Sequence, residues 1–281
     1  MNAAHAAVRP PSATPPASLR RIVCCLTGGA HQSDATAVAF DLARRSGARL
    51  TGLVGADPAG EGTWLGRVAS LARPTHAPEA RATALREFQA LAEAAAPVLD
   101  TALRGGGVDA AGALAGHDLA VVPAGVGPDG EERPPAEEVA ALLSGLRRVP
   151  VLRVRRRVPL VRAALLVVGA TPTCGALAAG LVRTGLWQDA ALSILPVGGD
   201  RPGVAAAAEA QADLLRDHGR RVRVLRGVDL VFEPDDLRPL LACHDAAVLS
   251  CLSARAPGFI GQARACAHEE AASATALALL P

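Results

Sequence analysis

Apolar and polar positions follow the same order twice along this chain. Each copy begins with a short apolar run, passes through a polar turn and an amphipathic stretch, and ends in a second apolar run. The opening runs are Arg21–Leu26 and Ala163–Val168. Short apolar runs separated by helical periodicity predict a strand, a turn, a helix and a second strand. The offset between the copies matches one α/β domain, so the pattern predicts two similar domains rather than an array of small repeats.

The first domain is predicted to span residues 19–154, with strands at 21–26, 49–55, 117–123 and 149–154 and helices at 33–47, 78–103 and 136–146. Ser33 is the predicted N-cap of the first helix, and Gly47 is its predicted C-terminal stop. The segment 108–116 is too short for both a strand and a crossover helix. We therefore expect this domain to be abbreviated by one strand or helix.

The second domain is predicted to span residues 162–281, with strands at 163–168, 191–197, 221–225, 245–250 and 275–280 and helices at 173–186, 202–218, 234–243 and 258–272. Residues 1–18 are rich in Ala and Pro and are expected to be a disordered tail. Residues 155–161 carry three arginines and are expected to be a solvated linker. Short apolar strands that alternate with helices predict a parallel sheet covered on both faces.

Composition narrows the class of protein. The chain has 281 residues, half of them hydrophobic, and its formal net charge is +2. A net charge this small does not indicate the basic surface that nucleic-acid-binding proteins carry. No apolar run reaches the roughly 18 residues of a membrane-spanning helix, and the N-terminal segment lacks the apolar core of a secretory signal. We expect a cytoplasmic protein with no membrane partner, in which the cysteines are reduced and act as small hydrophobic residues.

Several segments resemble the universal stress protein family in its tandem two-domain form. They are the openings 22–29 and 165–171, the helix and strand at 39–53, and the closings 117–122 with 149–154 and 244–249 with 277–280. The resemblance implies two Rossmann-like domains of the adenine nucleotide alpha hydrolase-like type, each with a parallel sheet of order 3-2-1-4-5. It also implies a pseudo-dimer in which the two domains pack through their last strands, 149–154 and 275–280. Apolar edge strands of this kind need a cover. Pairing of two chains as a homodimer is a further expectation.

Some members of the family bind ATP where strands one and four end, and the resemblance therefore implies candidate nucleotide-binding residues in both domains. Those of the second domain are Gly169, Thr171, Ser250, Ser253 and Arg264, and those of the first are Thr27, Gly28, Gly29 and Gly125. Glycines let backbone N–H groups approach phosphates, and a helix N-terminus favours an anion.

Both domains depart from the family's ATP motif. Thr27 replaces the aspartate that ends strand one, Val126 stands where a glycine is needed, and Glu137 places an anion near the phosphates. In the second domain Ser250 and Ser253 stand at the glycine positions, while Arg264 could meet a phosphate. We expect no bound cofactor in the first domain, with ATP left open for the second.

The sequence contains no recognisable catalytic constellation. The adjacent pairs Asp217-His218 and His244-Asp245 lie at a helix end and a strand entry, where neighbouring side chains diverge. His31 in the first loop and Cys251 after the fourth strand of the second domain are isolated. The leading hypothesis is a non-catalytic, cytoplasmic stress-response or regulatory protein with a decayed nucleotide site. The alternatives are an adenine-nucleotide-binding protein that acts through the second domain and, third, a nucleotide-hydrolysing enzyme on the same scaffold.

Overall fold

A computed structural model describes residues 19–54, 77–104, 116–125, 149–169, 176–197, 202–225, 234–250 and 275–280. The first half of the chain, residues 19–154, contains strands β1 (Arg21–Leu26), β2 (Arg49–Val54), β3 (Thr101–Arg104), β4 (Leu119–Pro123) and β5 (Val151–Val154), with helices α1 (Gln32–Ser46) and α2 (Ala77–Ala95). The second half, residues 162–281, contains strands β6 (Ala163–Gly169), β7 (Ala191–Val197), β8 (Val222–Val224), β9 (Ala246–Ser250) and β10 (Ala276–Leu280), with helices α3 (Ala176–Thr184), α4 (Pro202–Asp217) and α5 (Pro234–Ala242).

The ten strands form one sheet in the order β3-β2-β1-β4-β5-β10-β9-β6-β7-β8. Within each half the neighbouring strands are parallel, and each half has the strand order 3-2-1-4-5. The predicted α/β class and this strand order are therefore confirmed. The sheet is more extended than two separate five-stranded sheets, because the halves share it.

The last strands of the two halves join the sheet in its centre. β5 and β10 are antiparallel neighbours, with Val151 opposite Leu279 and Val154 opposite Ala276. Both strands are buried along their whole length. Pairing satisfies the backbone groups of two apolar edges that would otherwise be open to aggregation.

Alternation along the strands divides the core between the two faces of the sheet. One face carries residues such as Ile22 and Leu166 and is covered by α1, α2, α3 and α4. The other face carries residues such as Val23 and Leu165, and the helix packed on it within the described residues is α5, through Leu237 and Leu241. The near-continuous apolar strands are thus explained by burial on both faces.

The two halves repeat one contact in detail. Asp118 precedes β4, and its Oδ2 accepts hydrogen bonds from the backbone N–H groups of Arg20 and Arg21 at 2.8 and 2.9 Å. Asp245 precedes β9, and its Oδ2 accepts from Arg162 and from Ala163 at 2.7 and 3.1 Å. The same side chain therefore ties the start of the fourth strand to the start of the first strand in each half.

The expectation that the first half lacks a strand is wrong. The predicted helix 78–103 ends at Ala95, and Thr101–Arg104 form β3 beside β2. Pairing with the open edge of β2 overrides the helical preference of this Ala- and Leu-containing segment. The connection between the third and fourth strands is shorter in the first half than in the second. That connection is residues 105–118 in the first half and residues 225–245, with α5, in the second.

Local signals at α1 are partly confirmed. Gly47 ends the helix in the left-handed conformation, with φ of 67°, as predicted. Ser33 is not the N-cap, since the helix begins at Gln32 and His31 takes the cap position. The hydroxyl of Ser33 instead donates to Oε2 of Glu87 on α2 at 2.8 Å, because α2 packs beside the first turn of α1.

The linker between the halves is not fully solvated. Arg157 forms an ion pair with Asp41 of α1 at 2.8 Å, and Arg45 of α1 donates to the carbonyl oxygen of Pro159 at 3.0 Å. These contacts dock the linker on α1. The predicted helices 136–146 and 258–272, and the predicted tail 1–18, lie outside the described residues.

Candidate functional site

The candidate site in each half lies where the first and fourth strands end. β1 and β4 are parallel neighbours, and so are β6 and β9. The chain continues in opposite directions along the sheet from these two strands, which makes this edge the usual ligand position of a doubly wound fold. In the first half, an added side chain at Gly29 would lie within 3.8 Å of the Ala124 carbonyl oxygen that follows β4. The two strand tips therefore meet as the sequence predicts.

The side chain of Gln32 fills the tip of β1. Its Oε1 accepts from the backbone N–H groups of Thr27 at 2.8 Å and Gly28 at 3.2 Å. Its Nε2 donates to the carbonyl oxygen of Cys25 at 3.3 Å and to the hydroxyl of Thr36 at 3.0 Å. Gln32 is buried, with 4 % of its surface exposed. An internal amide oxygen thus takes the N–H groups that would otherwise face an anion.

Helix α2 packs directly against the turn that follows β1. Gly28 has φ of +78°, and a Cβ built on it would lie 2.8 Å from the carbonyl carbon of Ala80 and 2.9 Å from the backbone nitrogen of Arg81. Only glycine fits this close approach of two backbones. Gly28 therefore serves the packing of α2 against the loop, and Thr27, beside it, is buried. Gly29 and Gly125 are partly exposed at the same tip.

In the second half the described candidates are Gly169, which ends β6, and Ser250, which ends β9. Ser250 has only 2 % of its surface exposed, and both residues already have interaction partners. The buried Gln211 of α4 uses its Oε1 to accept from the N–H of Ala178 in the first turn of α3, at 3.1 Å. A glutamine oxygen therefore engages a backbone donor near this helix start as well.

Several predicted site residues cannot be placed. Thr171, Ser253 and Arg264 lie outside the described residues, as do Val126, Glu137 and Cys251. His31 lies at the N-cap of α1, next to the β1 tip, and has a partner. The structure therefore brings together Thr27, Gly28, Gly29 and Gly125 in the first half.

His117 and His244 each stand directly before an aspartate, Asp118 or Asp245, and lie at the opposite edge of the sheet, where strands begin. Nε2 of His244 lies 2.9 Å from the hydroxyl of Ser193, and its Nδ1 lies 2.6 Å from the carbonyl oxygen of Leu240. Nε2 of His117 lies 3.4 Å from the hydroxyl of Thr51 at the matching position of β2. Ser193 is buried, so the pair positions β9 against β7 and does not form an accessible nucleophile. Asp245 points instead to the start of β6, which confirms that the adjacent side chains diverge.

The two cysteines of β1 are placed where their thiols are unreactive. Cys24 and Cys25 are free and fully buried. Burial raises the pKa of the Cys24 thiol to about 12, and burial also raises the pKa of Cys25. A protonated, inaccessible thiol is a poor nucleophile and a poor metal ligand. Among the described ranges, no cluster of three or more His, Cys, Asp or Glu side chains is arranged to hold a metal ion.

Sequence reasoning missed Gln32 as the central residue of the first-half site. A glutamine six residues after the end of β1 carries no motif, and polar residues at helix starts are usually solvated. Its role depends on burial at the tip of β1, which is a tertiary property. The described part of the chain also contains no helix long and apolar enough to cross a membrane.

Comparison with known proteins identifies the fold. No family model and no curated protein matches the chain. Among solved structures, a protein of Pseudomonas aeruginosa UCBPP-PA14 described as a universal stress protein is 16 % identical, with a TM-score of 0.54 over 93 % of each chain. A universal stress protein from Archaeoglobus fulgidus DSM 4304 is 10 % identical, with a TM-score of 0.49 over 92 % of this chain and 95 % of its own. The first of these likenesses shows that the chain has the fold of universal stress proteins.

Proposed function

We propose that this chain is a tandem universal stress protein, a non-catalytic regulatory or protective protein of the cytoplasm whose nucleotide site has decayed. The observation that carries the proposal is the position of Gln32. Its Oε1 engages the N–H groups of Thr27 and Gly28 at the tip of β1. Phosphate binding at a strand tip needs such donors free. An incoming nucleotide would have to displace a buried amide that makes five hydrogen bonds of its own.

The packing of α2 supports the same conclusion. The backbone of Ala80 and Arg81 lies over Gly28 so closely that no side chain would fit between them. A triphosphate laid across this turn would collide with α2. The first half therefore keeps the family's strand tips and turn glycine but uses them for internal packing.

Pairing of β5 with β10 supports the pseudo-dimer part of the proposal. The two halves of one chain meet through the strands that the resemblance assigns to dimerisation. Each half then acts as the partner of the other. The function that follows is that of a rigid two-domain body that interacts with other proteins, rather than that of a nucleotide switch.

Calorimetric titration with ATP and magnesium tests the decayed site. We expect a dissociation constant weaker than about 10 μM, since losing two or three charged hydrogen bonds of about 1.5–3 kcal/mol each turns a micromolar site into a millimolar one. A tighter constant would overturn the proposal. Arg264→Ala then tells whether the second half is the site, with the exposed Arg44→Ala on α1 as the matched control.

The non-catalytic part of the proposal has its own assay. The purified chain is incubated with ATP and magnesium, and release of ADP is measured against a protein-free blank. We expect no release above the blank. Turnover that co-purifies with the chain and disappears in Arg264→Ala would instead assign a nucleotide hydrolase to the second half.

A further inference from the structure

A cavity of about 330 Å³ lies between the two halves, away from the strand tips. Its walls are formed by the end of α1, by Leu160 and Val161 of the connection between the halves, and by the loop after α3. Because α1 starts at the tip of β1 and runs back across the sheet, the end of α1 lies at the opposite edge from the nucleotide site. Small-molecule sites commonly occupy about 300–1,000 Å³ and often lie between domains.

The cavity walls combine apolar surface with an aromatic ring. Leu19, Leu42, Leu160 and Trp187 contribute to the lining. Leu160 keeps 50 % of its surface exposed, so its apolar side chain is accessible at the cavity. The half-buried Trp187 also lines a smaller adjoining cavity of about 50 Å³. A ligand with a flat apolar body would cover these surfaces.

The backbone of Trp187 is held in an unusual conformation. Its φ is 51°, and it is the one non-glycine residue with positive φ among the described residues. A bulky side chain rarely adopts this region, and such strain persists only where the surroundings impose it. Here Nη2 of the buried Arg220 donates to the carbonyl oxygens of Leu186 at 2.7 Å and Trp187 at 3.0 Å. These two hydrogen bonds from Arg220 hold in place the loop that presents the indole ring to the cavity.

The charges around the two cavities leave a positive excess. Asp41 is paired with Arg157 at 2.8 Å. Asp189 lines the larger cavity, and its negative charge acts on the buried Arg220 without forming an ion pair with it among the described residues. Arg45, which lines both cavities, donates to the carbonyl oxygen of Pro159 but forms no ion pair with any described residue. Arg45 and Arg156, which lines the smaller cavity, are therefore the cations left to meet a ligand, and Arg45 is the one that reaches the larger cavity.

We propose that the cavity between the halves binds a small aromatic anion, whose ring system lies on Trp187 and Leu160 and whose carboxylate or sulfonate meets Arg45. Planar rings gain from stacking on tryptophan. A guanidinium group is suited to a planar or forked anion because it offers several donors in one plane. This site is independent of the nucleotide question, since it uses different residues at the other edge of the sheet.

The probes that test the site are anilinonaphthalene sulfonate and its neutral analogue N-phenylnaphthylamine. The chain has two tryptophans, Trp64 and Trp187, and no tyrosine. In Trp64→Phe, the emission of Trp187 reports occupancy directly. We expect saturable binding of one sulfonate probe per chain, with quenching of Trp187. Arg45→Met should weaken the sulfonate probe about tenfold and leave the neutral probe within twofold, because one charged contact is lost.

Two matched surface variants complete the test. Leu160→Glu places bulk and a negative charge at the mouth of the cavity and should abolish saturable binding of the sulfonate probe, whereas Val98→Glu, at a site 75 % exposed and away from the cavity, should not change it. Absence of one-to-one binding in a chain with native circular dichroism would overturn the proposal, as would equal losses of binding in Leu160→Glu and Val98→Glu. A wild-type dimer that Leu160→Glu converts to a monomer in sedimentation would also overturn it, because the face would then belong to a second copy.

Discussion

Replacement of Gln32 by alanine tests how far the tip of β1 depends on one side chain. The change removes the acceptor for the N–H groups of Thr27 and Gly28 and the donor to the carbonyl oxygen of Cys25. The site is buried, so these backbone groups lose their partners without gaining bulk water. A buried group left without a hydrogen bond costs about 1–3 kcal/mol. We expect a loss of about 3 kcal/mol in the free energy of unfolding, because partial entry of water offsets part of the sum.

The measurement is urea unfolding followed by circular dichroism, with the slope against urea compared between variants. A loss of about 3 kcal/mol corresponds to a fall of about 6–12 °C in the melting temperature for a chain of this size. Ser33→Ala is the matched control, since Ser33 is exposed and its hydroxyl contacts Glu87 instead of capping α1. That control should cost less than about 0.5 kcal/mol. A stability of Gln32→Ala within about 0.5 kcal/mol of the parent, at equal slope, would refute the account of the β1 tip.

Three further predictions follow from other contacts. Gly28→Ala should destabilise the fold by more than about 3 kcal/mol, because its Cβ would meet the backbone of α2. Gly47→Ala has open space around it and should cost only the penalty of a left-handed backbone, about 1–2 kcal/mol. Equal losses of stability for the two variants in urea unfolding would contradict this prediction. Asp118→Ala and Asp245→Ala should each cost about 2 kcal/mol and should add in the double variant, because the two contacts are equivalent and distant; a strongly non-additive double variant would argue against equivalence. The Cys24 thiol, whose pKa burial raises from 9.0 to about 12, stays protonated in the folded state above pH 9 while the unfolded state releases its proton. Its contribution to stability is therefore complete below pH 9 and declines as the pH rises toward 12, and a pH series of urea midpoints that stays flat across this range would contradict it.

Much of the fold follows from local sequence. The runs at β1, β2, β6 and β7 are mostly apolar, with Thr51 and Ser193 as interruptions inside β2 and β7, as is typical of strands buried on both faces. Gly47 marks the end of α1 because the left-handed position after a helix favours glycine. The duplicated order of strands and helices was enough to predict a parallel sheet in each half, whereas the strand order came from the resemblance to the universal stress protein family.

β3 shows where local sequence fails. Its Thr-Ala-Leu-Arg segment follows a strongly helical run and contains residues that favour helix. Only the free edge of β2 makes it a strand, since pairing satisfies its backbone groups. The antiparallel joining of β5 to β10 into one ten-stranded sheet is likewise a long-range pairing, and its register is visible only in the structure.

At the candidate site and the cavity, too, some features follow from local sequence and others only from the tertiary structure. Sequence alone located the strand tips, Thr27 and the turn glycines, because strand ends and glycines are local features. It could not assign Gln32 to the N–H groups of the β1 tip, nor place Arg220 behind Trp187, because each contact joins residues brought together by packing. Hydrophobic periodicity determines which elements form and which faces they bury. The partner of a buried polar side chain is decided only when those elements meet, since any unpaired N–H or carbonyl group takes the nearest complementary atom that the tertiary structure provides.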